Sequence, residues 1–392
     1  MKTHKLILKK DKDFSLLRGH PWAFAEAFKE LPNNLKTGDI AEIISHKGKL
    51  IGCGYIDKDS KILVRMVPVN DNETFDKAVY RLIKQAVSLR KEFFNDPEKT
   101  NAYRVINGEG DGIPGLIADY YNGAISLQIY SLGLQPFIEI IIKALRESLQ
   151  NVKWIYQRNE IRLAKTSNAK LVFGKNLPEK IEFKENGLKF STDLVNGQKT
   201  GFFLDQRENR QLIRSISKGK SLLNVCGYTG AFTVAAIAGG CKSSVTVDIA
   251  KPALEEAEAN LRLNGYFNNN HKLVVSDMYD YLAKCKEKSF DIVVLDPPSM
   301  AKNRNDHDKA IRAYKKLNLE GVKVVKEGGF LYTASCTSQV SRQDFLNAVK
   351  DGIAASGRRA VIIKETFHTY DHPTALAHSE GSYLKGILLK IY

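Results

Sequence analysis

The C-terminal half of the chain alternates short apolar runs with amphipathic segments, and this alternation constrains the fold more than any other feature. From about residue 191, runs of strand length are separated by segments whose apolar residues recur at helical spacing. The predicted strands are 221–225, 244–248, 272–276, 290–295, 329–335, 360–365 and 384–391, and the predicted helices are about 231–238, 251–264, 278–285, 308–326 and 342–354. Such alternation is typical of a parallel sheet with helices on both faces. We therefore predict an α/β fold with a seven-strand, doubly wound, Rossmann-like sheet.

The first 190 residues are organised differently. Short apolar runs broken by glycines predict a small β-barrel, and they cover residues 6–8, 39–44, 49–56 and 61–67. The following segments predict helices over 75–94 and 136–149 and strands over 116–121 and 124–130. We therefore expect a barrel domain over 1–72, a small α/β middle domain over 73–190 and the doubly wound domain over 191–392. The acidic glycine turn around Asp111 is expected to be structural.

The charge balance indicates a polyanionic partner. The chain has 59 basic and 44 acidic residues, a net charge of +15 that is spread along its whole length. A basic body attracts nucleic acid, although solvated lysines would give the same sum. Arg18 to Phe24 places a cation beside aromatic residues, which suits either a single-stranded RNA contact or a Trp/Phe core plug.

The five cysteines show no zinc spacing, so we expect reduced thiols and no metal site. The N-terminus has no apolar segment typical of a secretory signal, and the longest charge-free run, 221–241, contains four glycines. A cytoplasmic protein that does not span a membrane is expected.

A glycine turn and an acid follow the first two strands of the doubly wound sheet. Gly227 and Gly230 permit a tight strand-to-helix turn and close approach of the backbone to a ligand. Asp248 ends the next strand, 21 positions after Gly227, where a carboxylate can accept the ribose hydroxyls of a nucleoside. An ordinary turn acid is the alternative, but the combination favours a nucleoside.

The turn also restricts which nucleoside binds. Neither the Gly-x-Gly-x-x-Gly cradle of a dinucleotide nor an ATPase P-loop is present. S-adenosylmethionine, which has ribose and adenine but no phosphate, suits the turn better. Asp277 could accept from the adenine amino group and Met278 could cover the ring, although Asp277 is equally well explained as a helix N-cap.

The fourth strand ends in Asp296-Pro297-Pro298-Ser299. Two prolines stop the strand and hold a rigid loop, where the Asp296 carboxylate could accept hydrogen bonds from a nucleobase. Enzymes that methylate exocyclic amino groups usually have an aromatic residue after the prolines. Ser299 occupies that position here, which argues against amino-group methylation.

Cys336 follows the fifth strand and should lie beside the Asp-Pro-Pro loop. Carbon 5 of a pyrimidine becomes nucleophilic when a thiolate adds to carbon 6. That chemistry needs a thiol, a carboxylate that binds the base and a methyl sulfonium, and Cys336 and Asp296 could supply the first two. A small, inert, buried thiol is the alternative.

Together these residues resemble the bacterial rRNA cytosine-C5 methyltransferases that join an N-terminal PUA domain to a class I methyltransferase domain, in particular the enzymes of large-subunit (23S) rRNA. The resemblance covers nearly the whole chain. Its segments are 18–24, 110–119, 200–207, 227–232, Asp296-Pro297-Pro298, Ser335-Cys336 and 383–386.

The resemblance implies that Cys336 is the nucleophile, that Asp296 orients the base and that the barrel is a PUA domain that binds RNA. It implies formation of 5-methylcytosine through a Cys336 adduct at carbon 6. Phe203 to Arg207 would lie over the cofactor pocket, and Cys226 would pack against the ligand. The candidate residues for binding S-adenosylmethionine are Phe203, Gln206, Cys226, Gly227, Tyr228, Thr229, Gly230, Phe232, Asp248, Ile249, Asp277, Met278, Asp296 and Pro297.

Three alternatives stay open. A nicotinamide dehydrogenase would need the missing third glycine, and a non-catalytic RNA-binding scaffold would have no use for Asp248, Asp296 and Cys336 together. Methylation of an exocyclic amino group of an RNA purine is the nearest alternative activity. The expected partner is rRNA, and a homodimer is possible.

Overall fold

The computed structural model describes residues 1–158, 169–301 and 303–392, except for the side chain of Arg304. The chain forms two compact units. The first comprises Met1–Phe183, Thr192–Leu204 and Tyr370–Gly381, and the second comprises Lys184–Ser191, Asp205–Thr369 and Ser382–Tyr392. The domain boundaries expected after residues 72 and 190 stay predictions. Among the described residues, no helix has the length and apolar character needed to cross a membrane.

The first unit begins with a five-stranded sheet in the order β1-β3-β4-β5-β2. Its elements are β1 (Thr3–Ile7), α1 (Phe14–Leu17), β2 (Trp22–Phe24), β3 (Ile40–Ile44), β4 (Leu50–Ile56) and β5 (Ile62–Val67). The apolar runs 6–8, 39–44, 49–56 and 61–67 fall on β1, β3, β4 and β5, so these strand predictions are confirmed. The sequence did not predict β2, because three residues of an edge strand carry too little alternation.

A second five-stranded sheet, in the order β10-β9-β8-β7-β6, also belongs to the first unit. Its elements are α2 (Phe75–Phe93), β6 (Ala102–Asn107), β7 (Leu116–Tyr121), β8 (Ala124–Ile129), α3 (Ile138–Ser148), β9 (Trp154–Arg158) and β10 (Lys170–Phe173). Both helices bury their apolar faces in a core that includes Val79, Ile83, Leu127 and Ile141. The helices and strands predicted for this region are confirmed, whereas β6, β9 and β10 were not predicted. A two-stranded sheet, β11 (Ile181–Glu185) and β12 (Leu188–Thr192), follows.

The acidic glycine turn after β6 is structural, as expected. Arg90 of α2 is fully buried and donates to both carboxylate oxygens of Asp111, over 2.5 and 2.7 Å. The backbone N–H of Asn107 also donates to Asp111. Because a buried cation needs a partner, this bidentate pair fixes the turn.

The second unit contains a seven-stranded sheet in the order β15-β14-β13-β16-β17-β19-β18. Its elements are α4 (Arg207–Ile216), β13 (Ser221–Val225), α5 (Ala231–Ala238), β14 (Ser243–Asp248), α6 (Lys251–Leu263), β15 (His271–Val275), α7 (Met278–Lys284), β16 (Phe290–Leu295), α8 (His307–Lys323), β17 (Val325–Ser335), α9 (Arg342–Ala355), β18 (Ala360–Thr366) and β19 (Lys385–Ile391). The predicted doubly wound sheet is confirmed. The predicted strand and helix bounds lie close to these, except that α4 was not predicted and β17 begins four residues early, at Val325. Strand β19 runs antiparallel to both β17 and β18, so the sheet is mixed and the expectation of a parallel sheet is wrong for β19. An apolar run predicts a buried strand but not its direction.

The order of strands brings the candidate site together. The chain runs from β13 to β14 and β15 on one side, then crosses to β16 and β17 on the other, so the ends of β13 and β16 lie at the topological switch point. Val225, the last residue of β13, is in register with both Val247 and Leu295, and Leu295 is in register with Thr333. The residues that follow these strands therefore occupy one edge of the sheet.

Candidate active site

The loop between β13 and α5 folds tightly against the neighbouring strand. Cys226, Tyr228 and Gly230 all have positive φ, of 57°, 45° and 72°. A Cβ on Gly227 would lie 2.3 Å from Cγ2 of Thr246, so a side chain does not fit there. The loop thus presents backbone to a ligand at the switch point.

Asp248 is oriented by backbone donors on both of its oxygens. The N–H of Tyr228 donates to Oδ2 and the N–H of Ala250 donates to Oδ1, each over 2.9 Å. Each carboxylate oxygen has a second lone pair, so Asp248 can still accept ribose hydroxyls. Ile249, which is 70% exposed, offers an apolar surface beside it. These residues fit the nucleoside part of S-adenosylmethionine.

Asp277 caps helix α7, as its alternative interpretation proposed. Its Oδ1 accepts from the N–H groups of Tyr279 and Asp280, over 2.8 and 3.3 Å. Because both bonds go to Oδ1, the cap leaves Oδ2 as an acceptor that neither of them uses. The capping role and a contact with the adenine amino group are therefore compatible.

Cys226 packs against the next candidate residue, since its Sγ lies 3.6 Å from Sδ of Met278. Burial, with the negative charges of Asp248, Asp296 and Asp277, raises the pKa of the Cys226 thiol to about 12. A protonated thiol is a poor nucleophile, which argues against a second nucleophile at Cys226. Its expected contact with the ligand stays a prediction.

Asp296 follows β16 and is held by Gln206. Nε2 of Gln206 donates to Oδ1 of Asp296 over 2.9 Å. Oε1 of Gln206 accepts from Nδ2 of Asn209 over 2.5 Å and from the hydroxyl of Tyr332 over 3.4 Å. The donors on Oε1 leave the amide only one orientation, in which its N–H points at the carboxylate. Gln206, a candidate for the cofactor, thus has an observed contact with Asp296.

Cys336 lies beside the Asp-Pro-Pro loop, as the sequence indicates. Its half-buried Sγ is 4.0 Å from the carbonyl oxygen of Pro297. The next residue, Thr337, accepts from the N–H of Met300 over 3.0 Å, which ties the loop after β17 to the loop after β16. Thiol and carboxylate are therefore carried by two loops that are bonded to each other.

The hydroxyl of Ser299 donates to the carbonyl of Ala301 over 3.0 Å, and Lys302 lies outside the described residues.

Pro297 is buried, and Phe232 lies in the core with its ring centroid 5.7 Å from that of Tyr332. Phe203 belongs to the first unit, where Nζ of Lys199 lies 4.4 Å from its ring centroid. Among the described residues, no group of three or more His, Cys, Asp or Glu could hold a metal ion.

In the first unit, Trp22 contacts two neighbouring side chains. Its Nε1 donates to Glu109 over 2.9 Å, and its ring centroid is 4.4 Å from that of His378. Trp22 is nevertheless only half-buried, and Phe24 is 37% exposed, so the interpretation of the two rings as a core plug is wrong for Phe24. A contact of this segment with RNA stays a prediction. Arg18 stacks on the exposed ring of Phe14, 3.9 Å from its centroid.

Lys385 is a residue of the site that the sequence did not reveal. It is only 5% exposed, and its Nζ donates to the carbonyl oxygens of Thr337 and Val340, each over 2.8 Å. The available signal was a lysine at the start of an otherwise apolar predicted strand.

Comparison with known proteins agrees with this architecture. Residues 115–350 match the S-adenosylmethionine-dependent methyltransferase family, and residues 6–67 match a PUA-like domain. Two solved structures superpose on 100% of this chain and of their own, at 24% identity. One is a protein from Streptococcus mutans provisionally assigned as a methyltransferase, with a TM-score of 0.84, and the other, SMU.776, was solved with S-adenosylhomocysteine, with a TM-score of 0.85.

Curated relatives match end to end. "Ribosomal RNA large subunit methyltransferase I" from Alteromonas mediterranea is 35% identical over 99% of this chain and 98% of its own length. The proteins of the same name from Aeromonas salmonicida and Escherichia coli are 34% and 31% identical, over 98% and 99% of this chain and 98% and 99% of their own lengths. Cofactor dependence follows from the family model and fits the cradle at Gly227 and Asp248. The chain therefore belongs to the S-adenosylmethionine-dependent methyltransferase family that includes these ribosomal RNA large subunit methyltransferase I proteins.

Proposed function

We propose that this enzyme methylates carbon 5 of a cytosine in large-subunit rRNA and that Cys336 is its nucleophile. One observation carries the proposal: Sγ of Cys336 lies 4.0 Å from the carbonyl of Pro297, directly after Asp296. A thiol and a carboxylate at the same edge of the sheet as the Gly227–Asp248 cradle are what a carbon-5 transfer needs.

The relatives and the charge support an rRNA substrate. The relatives named above act, by name, on the RNA of the large ribosomal subunit. The net charge of +15 favours binding to phosphates. A base stacked inside a duplex is out of reach of the half-buried Cys336 thiol, so the target must be single-stranded or flipped out.

Cys336 makes and breaks one bond to the base. Its thiolate adds to carbon 6, and the electron pair of the carbon 5–carbon 6 double bond moves to carbon 5. When bound, S-adenosylmethionine would supply an electrophilic methyl group. Carbon 5 would take it as the methyl–sulfur bond breaks, and S-adenosylhomocysteine would be the leaving group. Loss of the carbon-5 proton to a proton acceptor then restores the carbon 5–carbon 6 double bond and expels the Cys336 thiolate.

Asp296 orients the cytosine. Its carboxylate accepts from the exocyclic amino group, which fixes the direction of the ring. Where the ring nitrogen is protonated, the same carboxylate stabilises the positive charge that withdraws electrons from carbon 6. Gln206 holds the carboxylate in the required direction through its 2.9 Å bond to Oδ1.

Because the chain belongs to a methyltransferase family, a nicotinamide dehydrogenase is no longer a candidate function. Methylation of an exocyclic amino group of a purine and a non-catalytic RNA-binding role are outcomes that the following experiment distinguishes.

The enzyme is incubated with S-adenosylmethionine and rRNA that contains 5-fluorocytidine, and covalent adducts are separated by denaturing electrophoresis. Fluorine blocks loss of the carbon-5 substituent, so we expect the wild type to stay bound to RNA through Cys336. Cys336→Ala should abolish both adduct and transfer while cofactor binding, measured by calorimetry, stays close to wild type. The matched control, Cys226→Ala, should still form the adduct.

Transfer by Cys336→Ala would instead assign the chemistry to an exocyclic nitrogen. Binding of rRNA without transfer by the wild type would assign a non-catalytic role. Two further sequence predictions, a cytoplasmic location and a homodimer, stay predictions; light scattering after gel filtration tests the second.

A further inference from the structure

Lys385 spans the loop that carries Cys336. It is the first residue of β19 and is in antiparallel register with Ser335, the last residue of β17. From there its side chain reaches past Cys336 and donates to the carbonyls of Thr337 and Val340, each over 2.8 Å. Two hydrogen bonds from a charged donor fix the backbone on the C-terminal side of the thiol.

A buried ammonium of this kind is unusual. Lys385 is 5% exposed, and its ammonium donates to these two carbonyl oxygens, which carry no formal charge. Burial lowers the pKa of Lys385 to about 8, and a negative charge on Cys336 opposes that shift. An amine that titrates near neutral pH can exchange a proton with a neighbouring thiol.

Two other titratable groups near Cys336 are not cations. Asp296, on the loop after β16, is an acid whose negative charge opposes formation of a thiolate. Tyr314 of α8 lies with its hydroxyl 2.7 Å from Oγ1 of Thr337, and burial raises its pKa to about 12, so it stays neutral. Neither group stabilises a thiolate, whereas an ammonium such as that of Lys385 does.

We propose that Lys385 is a positioning residue that holds the Cys336 loop and stabilises the Cys336 thiolate with its ammonium group. The inference rests on the proposed function of Cys336. When the thiol gives its proton to the neutral amine, an ammonium and a thiolate form with no change in total charge. The buried site thus acquires a nucleophile without acquiring net charge.

The test compares Lys385→Met, which keeps side-chain length without charge, with Lys385→Arg, which keeps the charge. Alkylation of Cys336 by iodoacetamide is followed in the full chain from about pH 5 to 10 by peptide-resolved mass spectrometry. Cys285, at the end of α7, is the internal control. We expect Lys385→Met to raise the pKa of the thiol and to slow alkylation at neutral pH by about tenfold or more. Lys385→Arg should retain most of the wild-type rate.

A reciprocal measurement does not depend on the folding of Lys385→Met. The chain is produced with lysine that carries carbon-13 at Cε, and the Lys385 signal, assigned by its loss in Lys385→Arg, is titrated by NMR in the wild type and in Cys336→Ala. Removal of the thiolate should lower the pKa of the amine, because thermodynamic coupling between two sites is mutual.

Alkylation profiles of wild type and Lys385→Met that coincide, or an amine titration that Cys336→Ala leaves unchanged, would overturn the proposal. The 5-fluorocytidine adduct separates this failure from failure of the proposed function. An adduct with coincident profiles rejects only the role of Lys385, whereas shifted profiles without an adduct reject only the cytosine chemistry.

Discussion

The amide of Gln206 makes hydrogen bonds at both ends, and these bonds determine which end faces Asp296. Gln206 is 3% exposed, so water does not replace a lost partner easily. Its oxygen is used by Asn209 and Tyr332, and its nitrogen by Asp296. The orientation of the proposed base-binding carboxylate thus depends on a residue that the sequence suggested for another role.

Gln206→Leu should reduce transfer with little effect on cofactor affinity. Loss of one buried hydrogen bond to a charged group costs about 1–3 kcal/mol, which, taken from the stabilisation of the transition state, corresponds to a fall in kcat of about 5- to 150-fold. Steady-state kinetics and calorimetry with the cofactor measure the two effects separately. Gln343→Leu, on the exposed face of α9, is the control and should leave kcat unchanged. A loss of cofactor affinity that accounts for the whole fall in activity would assign Gln206 to the cofactor instead.

At the scale of elements, the start of α5 depends on a close approach to α6. Gly230 has a φ of 72°, and a Cβ there would lie 2.9 Å from the Cβ of Ala257. Gly265, at the end of α6, has a φ of 70° with open space around it. The two glycines share a backbone conformation and differ in what a side chain would meet.

The pair Gly230→Ala and Gly265→Ala therefore separates packing from backbone strain. Each should lose about 1–2 kcal/mol because alanine disfavours positive φ, and Gly230→Ala should lose about 1–3 kcal/mol more through overlap with Ala257. Urea denaturation gives the difference, and calorimetry should show weaker cofactor binding for Gly230→Ala alone. Equal loss in the free energy of unfolding for the two variants would mean that α6 accommodates a methyl group at residue 230 without further destabilisation.

At the scale of the whole molecule, residues 370–381 belong to the first unit although they are close to the C-terminus. Asp371 is fully buried, and its Oδ2 accepts from the N–H of Arg104 over 2.8 Å across 267 positions of sequence. Arg90 donates to the carbonyl of Asp371 over 2.9 Å, and Asn107 donates to the carbonyl of Pro373 over 2.8 Å. The first unit therefore needs a segment from the far end of the chain.

Asp371→Ala should loosen that segment. Without the carboxylate the partly buried N–H of Arg104 loses this acceptor, which costs about 1–3 kcal/mol. Limited proteolysis should then cut within 370–381 faster than in the wild type. Asp351→Ala, on the exposed surface of α9, is the control. Cleavage at the wild-type rate would show that the other contacts of the segment are sufficient to hold it.

The strands and helices of the second unit were predictable because their signal is local. A buried parallel strand is a short apolar run and a covering helix repeats every three to four residues, so the doubly wound sheet can be predicted from neighbouring residues alone. Short edge strands such as β2 lack that signal. The sequence also predicted which residues follow the strands, and hence that Gly227, Asp248, Asp296 and Cys336 share one edge.

The sequence by itself determined the sheet and the residues at its switch point. Only the tertiary structure decided which side chains orient them, because those partners are distant along the chain. Gln206 is 90 positions from Asp296, and Lys385 is 48 from Thr337. The spacing of apolar residues indicates which face of an element is buried, but hydrogen bonds between elements depend on how the strands are ordered in space.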